Sequence, residues 1–193
     1  MIYGLVMAAG ASRRFGEIKQ LAKIDGVPMA LRSYNILNRV LRKGKTFLVL
    51  GANFESFGVE FEAVNIIYNR DWSLGLGSSI ARAVTDIKNE KDCSGILITL
   101  VDQVRLTEHD YRKLIALFFG TKIVASDYGY KKGPPVIFGE SYFEELSQLK
   151  GDSGASELLK NNEYGIVSCE ISNASFDIDT KDDLKLFLSQ NQP

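Results

Sequence analysis

The sequence predicts one α/β domain, spanning residues 1–193, with a mostly parallel sheet. Short apolar runs alternate with segments of helical periodicity along nearly the whole chain, which is the pattern of successive β–α units. Polar or glycine-rich segments follow several of these runs, where loops would leave the carboxyl ends of parallel strands. At 193 residues, of which 45% are hydrophobic and 24% charged, the chain is long enough for one full hydrophobic core.

Apolar runs predict the strands, and glycine marks turns between elements. Asp25-Gly26 predicts a turn before the first helix, and the run at residues 94–100 is the clearest strand of the chain. The predicted strands lie at residues 1–7, 46–50, 65–68, 94–100, 122–126, 135–138 and 165–169.

Helical spacing and capping signals predict the helices. Leu31, Tyr34 and Leu37 share one face of the first helix, while Thr107 and Thr180 are the expected N-caps of two later helices. A serine is the expected cap of the second helix. The predicted helices lie at residues 30–42, from about 79 to 87, at 107–119, 140–148 and 153–161, and after residue 180.

Composition narrows the classes of function. Twenty-three basic residues against twenty-four acidic ones leave no net positive field, so binding of nucleic acid is not expected. With His109 as the one histidine, and Cys93 and Cys169 far apart, the chain offers neither a zinc site nor a Ser-His-Asp triad. No run approaches membrane-spanning length, and the first residues do not show a basic region followed by a long apolar run. We therefore expect a cytoplasmic protein without membrane contact, whose cysteines are buried free thiols.

The loop after the first strand is the strongest chemical signal in the sequence. Small residues let backbone N–H groups approach an anion closely, Arg14 can clamp two phosphate oxygens, and Lys19 can supply a mobile point charge. We predict a phosphate cradle here, against the alternative of a solvated turn after an edge strand. The loop lacks the Walker and Gly-x-Gly-x-x-Gly patterns. The predicted backbone contacts come from Ala8, Ala9, Gly10 and Ser12.

Two further segments place polar groups near the same edge of the sheet. Gly75 and Ser79 precede a helix, whose N-terminus either receives a polar ligand or is an ordinary cap. Asp102 follows the strand at 94–100, where a carboxylate can hold Mg²⁺ beside a triphosphate. Asp177 and Asp179 share one face of an extended segment, and either is a candidate second ligand, Asp179 before Asp177. A turn or cap residue is the alternative for each of these carboxylates.

Residues 6–21 resemble the signature loop of the MobA-like nucleotidyltransferases, L-A-A-G-x-S-x-R-F-G-x-x-K-Q-L, with Met7 where Leu or Thr is usual. Within that family the likeness is greatest to the molybdenum cofactor cytidylyltransferases. The later segments 75–80, 102–103, 133–138, 151–155 and 177–180 match in the same order. The resemblance covers residues 6–184 and implies a three-layer α/β/α, Rossmann-like fold of the nucleotide-diphosphosugar transferase (GT-A-like) type.

The resemblance implies Mg²⁺-dependent transfer of CMP from CTP to an acceptor phosphate, molybdopterin, with release of pyrophosphate. It implies that Arg14 and Lys19 hold the β- and γ-phosphates, and that Asp102 holds the metal. It also implies that Gly75 and Ser79 lie against the base, and that segments 133–138 and 151–155 lie near the acceptor. A molybdoenzyme or its chaperone is the implied protein partner.

One position bears on the choice of nucleotide, and three others depart from the family pattern. Guanylyl relatives have Gly-Gly where this chain has Ala9-Gly10, so the Ala9 methyl group favours CTP over GTP. Val104 replaces the usual proline after Asp102-Gln103. The family usually has His where Pro134 stands and Arg where Ser156 stands. Two alternatives remain open: a nucleotidyltransferase using GTP or a sugar or alcohol phosphate, and a non-catalytic nucleotide-binding regulatory protein.

Overall fold

The computed structural model describes residues 1–120, 122–160 and 165–190. The strands of this part of the chain are short and most of their residues are buried. They are β1 (Ile2–Met7), β2 (Lys23–Ile24), β3 (Val27–Pro28), β4 (Thr46–Leu50), β5 (Ile66–Tyr68), β6 (Gly95–Leu100), β7 (Ile123–Asp127), β8 (Lys132–Gly139) and β9 (Val167–Glu170).

The helices connect these strands. They are α1 (Met29–Val40), α2 (Leu76–Ile87), α3 (Glu108–Ala116), α4 (Phe143–Ser147), α5 (Ser156–Lys160) and α6 (Lys181–Gln190). Short 3₁₀ turns at Lys19–Leu21, Trp72–Leu74 and Ser172–Ser175 lie between elements and contribute residues near the candidate site.

The main sheet has the spatial strand order β5-β4-β1-β6-β8-β7-β9, while β2 and β3 form a separate ribbon. β1 is parallel to both of its neighbours, β4 and β6, and β4 is parallel to β5. β8 runs antiparallel to β6 and β7, and β9 is parallel to β7. The predicted mostly parallel sheet is confirmed. The chain after β1 leads to β4 on one side of β1, and β6 lies on the other side of β1. A crevice therefore opens beyond the carboxyl ends of β1 and β6.

Helices cover both faces of the sheet, which confirms the predicted three layers. α1, α3 and α6 pack on one face, where Leu37, Leu114 and Phe187 meet strand residues such as Val6. α2, α4 and α5 pack on the other face, where Val84 and its neighbours meet the strand residues that point the opposite way. The alternation of side chains along each strand therefore builds two apolar cores around one sheet.

Each predicted strand and helix corresponds to an element of the structure, with shifted ends. The turn at Asp25-Gly26 is confirmed, since both residues have positive φ angles, 51° and 80°. The helices predicted at 30–42 and 107–119 end earlier, at residues 40 and 116. Position 161, the predicted end of another helix, lies outside the described residues. The predicted serine cap of α2 is wrong, because Gly75 is the N-cap and no side chain caps this helix.

The two cysteines are buried free thiols, as predicted. Cys93 lies in the core on the α2 face and Cys169 in the core on the α1 face, so the sheet separates them. His109 is exposed on α3. Among the described helices, none combines the length and the apolar character that a membrane span requires.

We expect Leu37→Ala to lower the free energy of unfolding by about 2–5 kcal/mol. Leu37 is 0% exposed and belongs to the core between α1 and the sheet, so the change leaves a cavity. Chemical denaturation monitored by circular dichroism measures the effect. The control is Leu186→Ala on α6, where the leucine is 51% exposed and the change should be within about 0.5 kcal/mol. Equal effects of the two changes would contradict the packing described above.

Candidate functional site

A cleft of about 500 Å³ opens beyond the carboxyl ends of β1 and β6. It is lined by segments that are distant in sequence, as expected where the connections after two adjacent parallel strands lead to opposite sides of the sheet. All the site residues predicted from the sequence line this one cleft: Ala8, Ala9, Gly10, Ser12, Arg14, Lys19, Gly75, Ser79, Asp102 and Asp179. The fold thus brings them together, and the role of each stays a prediction.

The loop after β1 is anchored by an aromatic side chain. Phe15 is buried in the core, and its backbone N–H, like that of Gly16, donates to the carbonyl of Ser12 at 3.0 and 3.2 Å. Ser12 takes a left-handed conformation, with φ 55°, which closes this tight turn. Because Phe15 is held inward, the two preceding arginines, Arg13 and Arg14, are exposed on the cleft.

Gln20 fixes the backbone of the same loop. Its side-chain Nε2 donates to the carbonyls of Ala8 and Gly10, at 2.9 and 2.7 Å, and its Oε1 accepts from the Ser12 hydroxyl at 2.9 Å. The residue is 3% exposed. This role could not be predicted from the sequence, because a glutamine inside a polar motif does not show which carbonyls it will bond.

The loop carries a run of free backbone donors. Among the described hydrogen bonds, none uses the backbone N–H of residues 10–14. The carbonyls of Ala8 and Gly10 bond to Gln20, so their hydrogen-bonding capacity is used inside the loop. A methyl group built on Gly10 would contact no atom within 4 Å, so the space beside its Cα is open. Free N–H groups around an open space are the chemistry of an anion cradle.

Lys19 lies between two carboxylates. Its Nζ is 2.8 Å from Oδ2 of Asp102 and 3.3 Å from Oδ1 of Asp179, and its side chain is 10% exposed. Arg14 reaches the other oxygen of Asp179 at 2.9 Å, with its side chain 74% exposed. The expectation that Lys19 is a mobile point charge is therefore wrong, because burial and the ion pairs hold it in place. Arg13 has no ion pair among the described residues and lines the same cleft.

The carboxylates differ in their surroundings. Oδ1 of Asp102 is buried and has no hydrogen-bond partner within the described part of the chain. The backbone N–H of Ile178 donates to the carbonyl of Asp102 at 3.1 Å, which brings the 177–180 segment beside it. Desolvation, and then the charges of Asp102 and Asp179, raise the pKa of Asp177 to about 6. Asp177 itself does not line the cleft.

Gln103 is a second buried amide that sequence analysis left without a role. Its Nε2 lies 2.8 Å from the carbonyls of both Pro134 and Ala174, and 3.1 Å from the Tyr128 hydroxyl. These bonds join the end of β6 to β8 and to the turn before Asp179. Burial is the main cause that raises the pKa of Tyr128, so its hydroxyl stays protonated. The segment at 133–138 expected near an acceptor is thus tied directly to the Asp102 loop.

The start of α2 forms another wall of the cleft. Asn69 is buried and its Nδ2 donates to the hydroxyls of Ser78 and Ser79, at 3.0 Å each. Gly75 has φ 99°, and a methyl group there would lie 2.5 Å from Asp152 and from the carbonyl of Gly151. The segment at 151–155 therefore packs on the start of α2, beside Gly75, and Asp152 lines the cleft.

Within the described residues, no group of three or more His, Cys, Asp or Glu side chains is arranged to hold a metal ion. Asp102 and Asp179 supply two carboxylates. A divalent cation that binds beside a nucleotide commonly uses one or two carboxylates together with phosphate oxygens. The donor set fits such a shared site and not a complete protein cage.

Two curated proteins align along nearly all of the chain. The purine catabolism protein PucB of Bacillus subtilis (strain 168) is 29% identical over 94% of this chain and 93% of its own. The nicotine blue oxidoreductase of Paenarthrobacter nicotinovorans is 27% identical over 93% of this chain and 92% of its own.

Solved structures share the fold. The crystal structure of an Rv0371c homologue from Mycobacterium sp. strain JC1 has a TM-score of 0.85 and 28% identity, covering 98% of this chain and 96% of that one. Rv0371c of Mycobacterium tuberculosis H37Rv in complex with manganese has a TM-score of 0.77, 23% identity, and coverage of 97% and 98%. A CMP:2-keto-3-deoxy-manno-octonic acid synthetase complexed with CTP has a TM-score of 0.76, 12% identity, and coverage of 98% and 97%.

The family model of the MobA-like NTP transferase domain matches residues 4–166. This range contains the loop after β1, the start of α2 and the end of β6. The chain belongs to the MobA-like NTP transferase family of nucleotidyltransferases.

Proposed function

We propose that this protein is a Mg²⁺-dependent cytidylyltransferase, which transfers CMP from CTP to the phosphate of an acceptor, molybdopterin, and releases pyrophosphate. The observation that carries the proposal is one cleft in which free backbone donors and arginines face a carboxylate with an unpartnered oxygen. Membership of a nucleotidyltransferase family supports the class of reaction.

The loop after β1 binds the triphosphate. The free N–H groups of residues 10–14 donate to phosphate oxygens, and Arg13 and Arg14 add charge-assisted hydrogen bonds from the exposed side. Arg14 exchanges its contact with Asp179 for a phosphate. Gln20 keeps the loop in the conformation that presents these donors, so little reorganisation accompanies binding.

Asp102 and Asp179 would hold Mg²⁺. The buried, unpartnered Oδ1 of Asp102 fits this role, since such an oxygen is costly unless a cation or donor meets it. The ion supplies neutralisation of the negative charge on the phosphates when it is bound. The relative solved with manganese supports a divalent metal in this fold. Lys19 keeps the two carboxylates close without mutual repulsion.

The transfer step is a displacement at the α-phosphorus. An oxygen of the acceptor phosphate forms the new P–O bond, and the bond from the α-phosphorus to the bridging oxygen of the β-phosphate breaks. The pyrophosphate leaves with the electron pair, and the loop N–H groups and arginines stabilise its charge. The acceptor phosphate is already an anionic nucleophile, so no general base is required and catalysis consists of positioning and charge stabilisation.

Ala9 sets the size of the base. It is buried against the cleft, and its carbonyl accepts from the backbone N–H of Ala52 at 3.0 Å, so this part of the loop is fixed. The methyl group narrows the space beside it, which favours a pyrimidine. The relative complexed with CTP supports this choice of nucleotide. The acceptor, and a molybdoenzyme or its chaperone as protein partner, are proposed from the sequence resemblance.

We expect CTP with Mg²⁺ to raise the melting temperature more than GTP or ATP, because a ligand that binds only the folded state stabilises it. Ala9→Gly should reduce the difference between CTP and GTP, since one methyl group discriminates by about 1–3 kcal/mol. Differential scanning fluorimetry with a panel of nucleotides measures both effects. Equal shifts from CTP and GTP in the wild-type protein would remove the cytidylyl assignment.

Arg14→Ala should weaken CTP binding by about 1.5–3 kcal/mol, the range for a hydrogen bond to a charged group. Its melting temperature should stay near the wild-type value, because the side chain is exposed.

Lys19→Ala should weaken binding and also lower the melting temperature, since it leaves Asp102 and Asp179 without their shared partner. Isothermal titration calorimetry and thermal unfolding separate the two effects.

The control for both cation variants is Arg42→Ala, at an exposed arginine outside the cleft. If Arg14→Ala and Lys19→Ala bound CTP as tightly as this control, the phosphate cradle would lie elsewhere.

Asp102→Asn should reduce pyrophosphate release from CTP and molybdopterin by about 10²–10³, the usual cost of losing one preorganised electrostatic partner at the reacting phosphorus. The protein should fold, and excess Mg²⁺ should restore only part of the rate. Mn²⁺ binding in the presence of CTP, followed by electron paramagnetic resonance, gives a second readout. Asp86→Asn, at an exposed residue on α2, is the matched control. Turnover of Asp102→Asn above a tenth of the wild-type rate would assign Asp102 to a turn.

A further inference from the structure

Asp152 is a carboxylate in the cleft to which the preceding mechanism gives no role. It lines the cleft with the loop after β1, yet it forms no hydrogen bond or ion pair with any described residue. The other two carboxylates that line the cleft, Asp102 and Asp179, are both paired with Lys19. A different partner is therefore expected for Asp152.

A chain of close contacts places Asp152 on the same wall as Ala9. A methyl group on Gly51 would meet the carbonyl of Ala9 at 2.8 Å and also the Trp72 side chain, so Trp72 packs beside the loop after β1. The turn that starts at Trp72 ends at Gly75, where Asp152 lies across the missing Cβ. Ala9, Trp72, Gly75 and Asp152 therefore form one wall of the cleft.

The backbone holds Asp152 at that position. The carbonyl of Gly151 accepts from the backbone N–H of Gly77 at 2.8 Å. A methyl group on Gly77 would lie 2.7 Å from the carbonyl oxygen of Lys150, so the two backbones are in direct contact. The absence of side chains at Gly75 and Gly77 thus lets the 150–152 segment reach the cleft.

The chemistry of a carboxylate limits what it can bind here. A carboxylate group accepts hydrogen bonds without donating any, and its negative charge repels phosphate. Covering it with a ligand is costly unless the ligand supplies a donor. The base of CTP has one hydrogen-bond donor, the exocyclic amine at C4, while UTP has a carbonyl oxygen at that position.

We propose that Asp152 selects the base, by accepting a hydrogen bond from the C4 amine of the cytosine of CTP. The inference rests on the proposed function and deepens it. Ala9 favours a pyrimidine over a purine by size, and Asp152 separates CTP from UTP by hydrogen-bond polarity. Asp152 is thus a specificity-determining residue of the nucleotide half of the cleft, and not of the acceptor side to which the resemblance assigns the segment 151–155.

The test compares CTP and UTP binding to the wild-type protein, Asp152→Asn and Asp152→Ala by isothermal titration calorimetry with Mg²⁺. An amide can donate to the C4 carbonyl of UTP, so Asp152→Asn should weaken CTP binding and strengthen UTP binding. The ratio of the two affinities should change about 10-fold to 100-fold, the range for one polar contact to a base edge. Asp152→Ala should weaken CTP binding without any gain for UTP, and Asp86→Asn should leave both affinities unchanged.

Other outcomes overturn the inference. Equal losses for CTP and UTP in Asp152→Asn would place the carboxylate on a ribose hydroxyl, and unchanged affinities for both would place it beside the acceptor or in solvent. If the wild-type protein binds CTP and only the ratio fails to change, the inference fails alone. If the wild-type protein binds neither nucleotide, the proposed function fails as well.

Discussion

The ion pairs of Lys19 with Asp102 and Asp179 are the interaction on which the rest of the cleft depends. They connect the amino-terminal loop to the end of β6, 83 positions away in the chain, and to the segment before α6, 160 positions away. Without the lysine, two carboxylates would face each other in a partly buried space, where charges repel strongly. With it, the acidic side of the cleft is assembled before any ligand arrives. In this arrangement the two carboxylates occupy the Nζ of Lys19, while Arg13 and Arg14 are exposed on the cleft.

Three buried amide side chains stabilise the loops around the cleft, in the same way that backbone hydrogen bonds between strands stabilise the sheet. Gln20 bonds the loop after β1, Gln103 joins the end of β6 to Pro134 and Ala174, and Asn69 fixes the start of α2. Each amide bonds backbone carbonyls or hydroxyls that strand pairing and helix formation leave unpaired. Loops at a binding site lack the regular pairing that stabilises strands, so buried side chains must supply it. The conformation of the loops around the cleft therefore depends on these buried amide side chains.

Most of the fold could be predicted from the sequence, because it rests on periodic patterns. The strands around β1 and the helices that cover them each carry a run of apolar residues at the right spacing, and the site segments follow strand ends. What could not be predicted depends on distant contacts. The burial of Lys19, the free Oδ1 of Asp102 and the approach of Asp152 to Gly75 arise only when separate segments meet. The sequence predicts a serine cap for α2, and this prediction is wrong for a local reason: Gly75, with its positive φ angle, is the N-cap.

At Gly10 the requirements of folding can be distinguished from the requirements of ligand binding. Its backbone needs no positive φ, and no neighbouring atom would collide with a side chain there, so folding places no demand for glycine at this position. The open space beside its Cα belongs to the cleft. A glycine at this position is therefore explained by the molecule that enters the cleft and not by the residues that surround it. A substitution at residue 10 should therefore change the binding of a ligand without changing the stability of the fold. At this position the two effects can be measured separately.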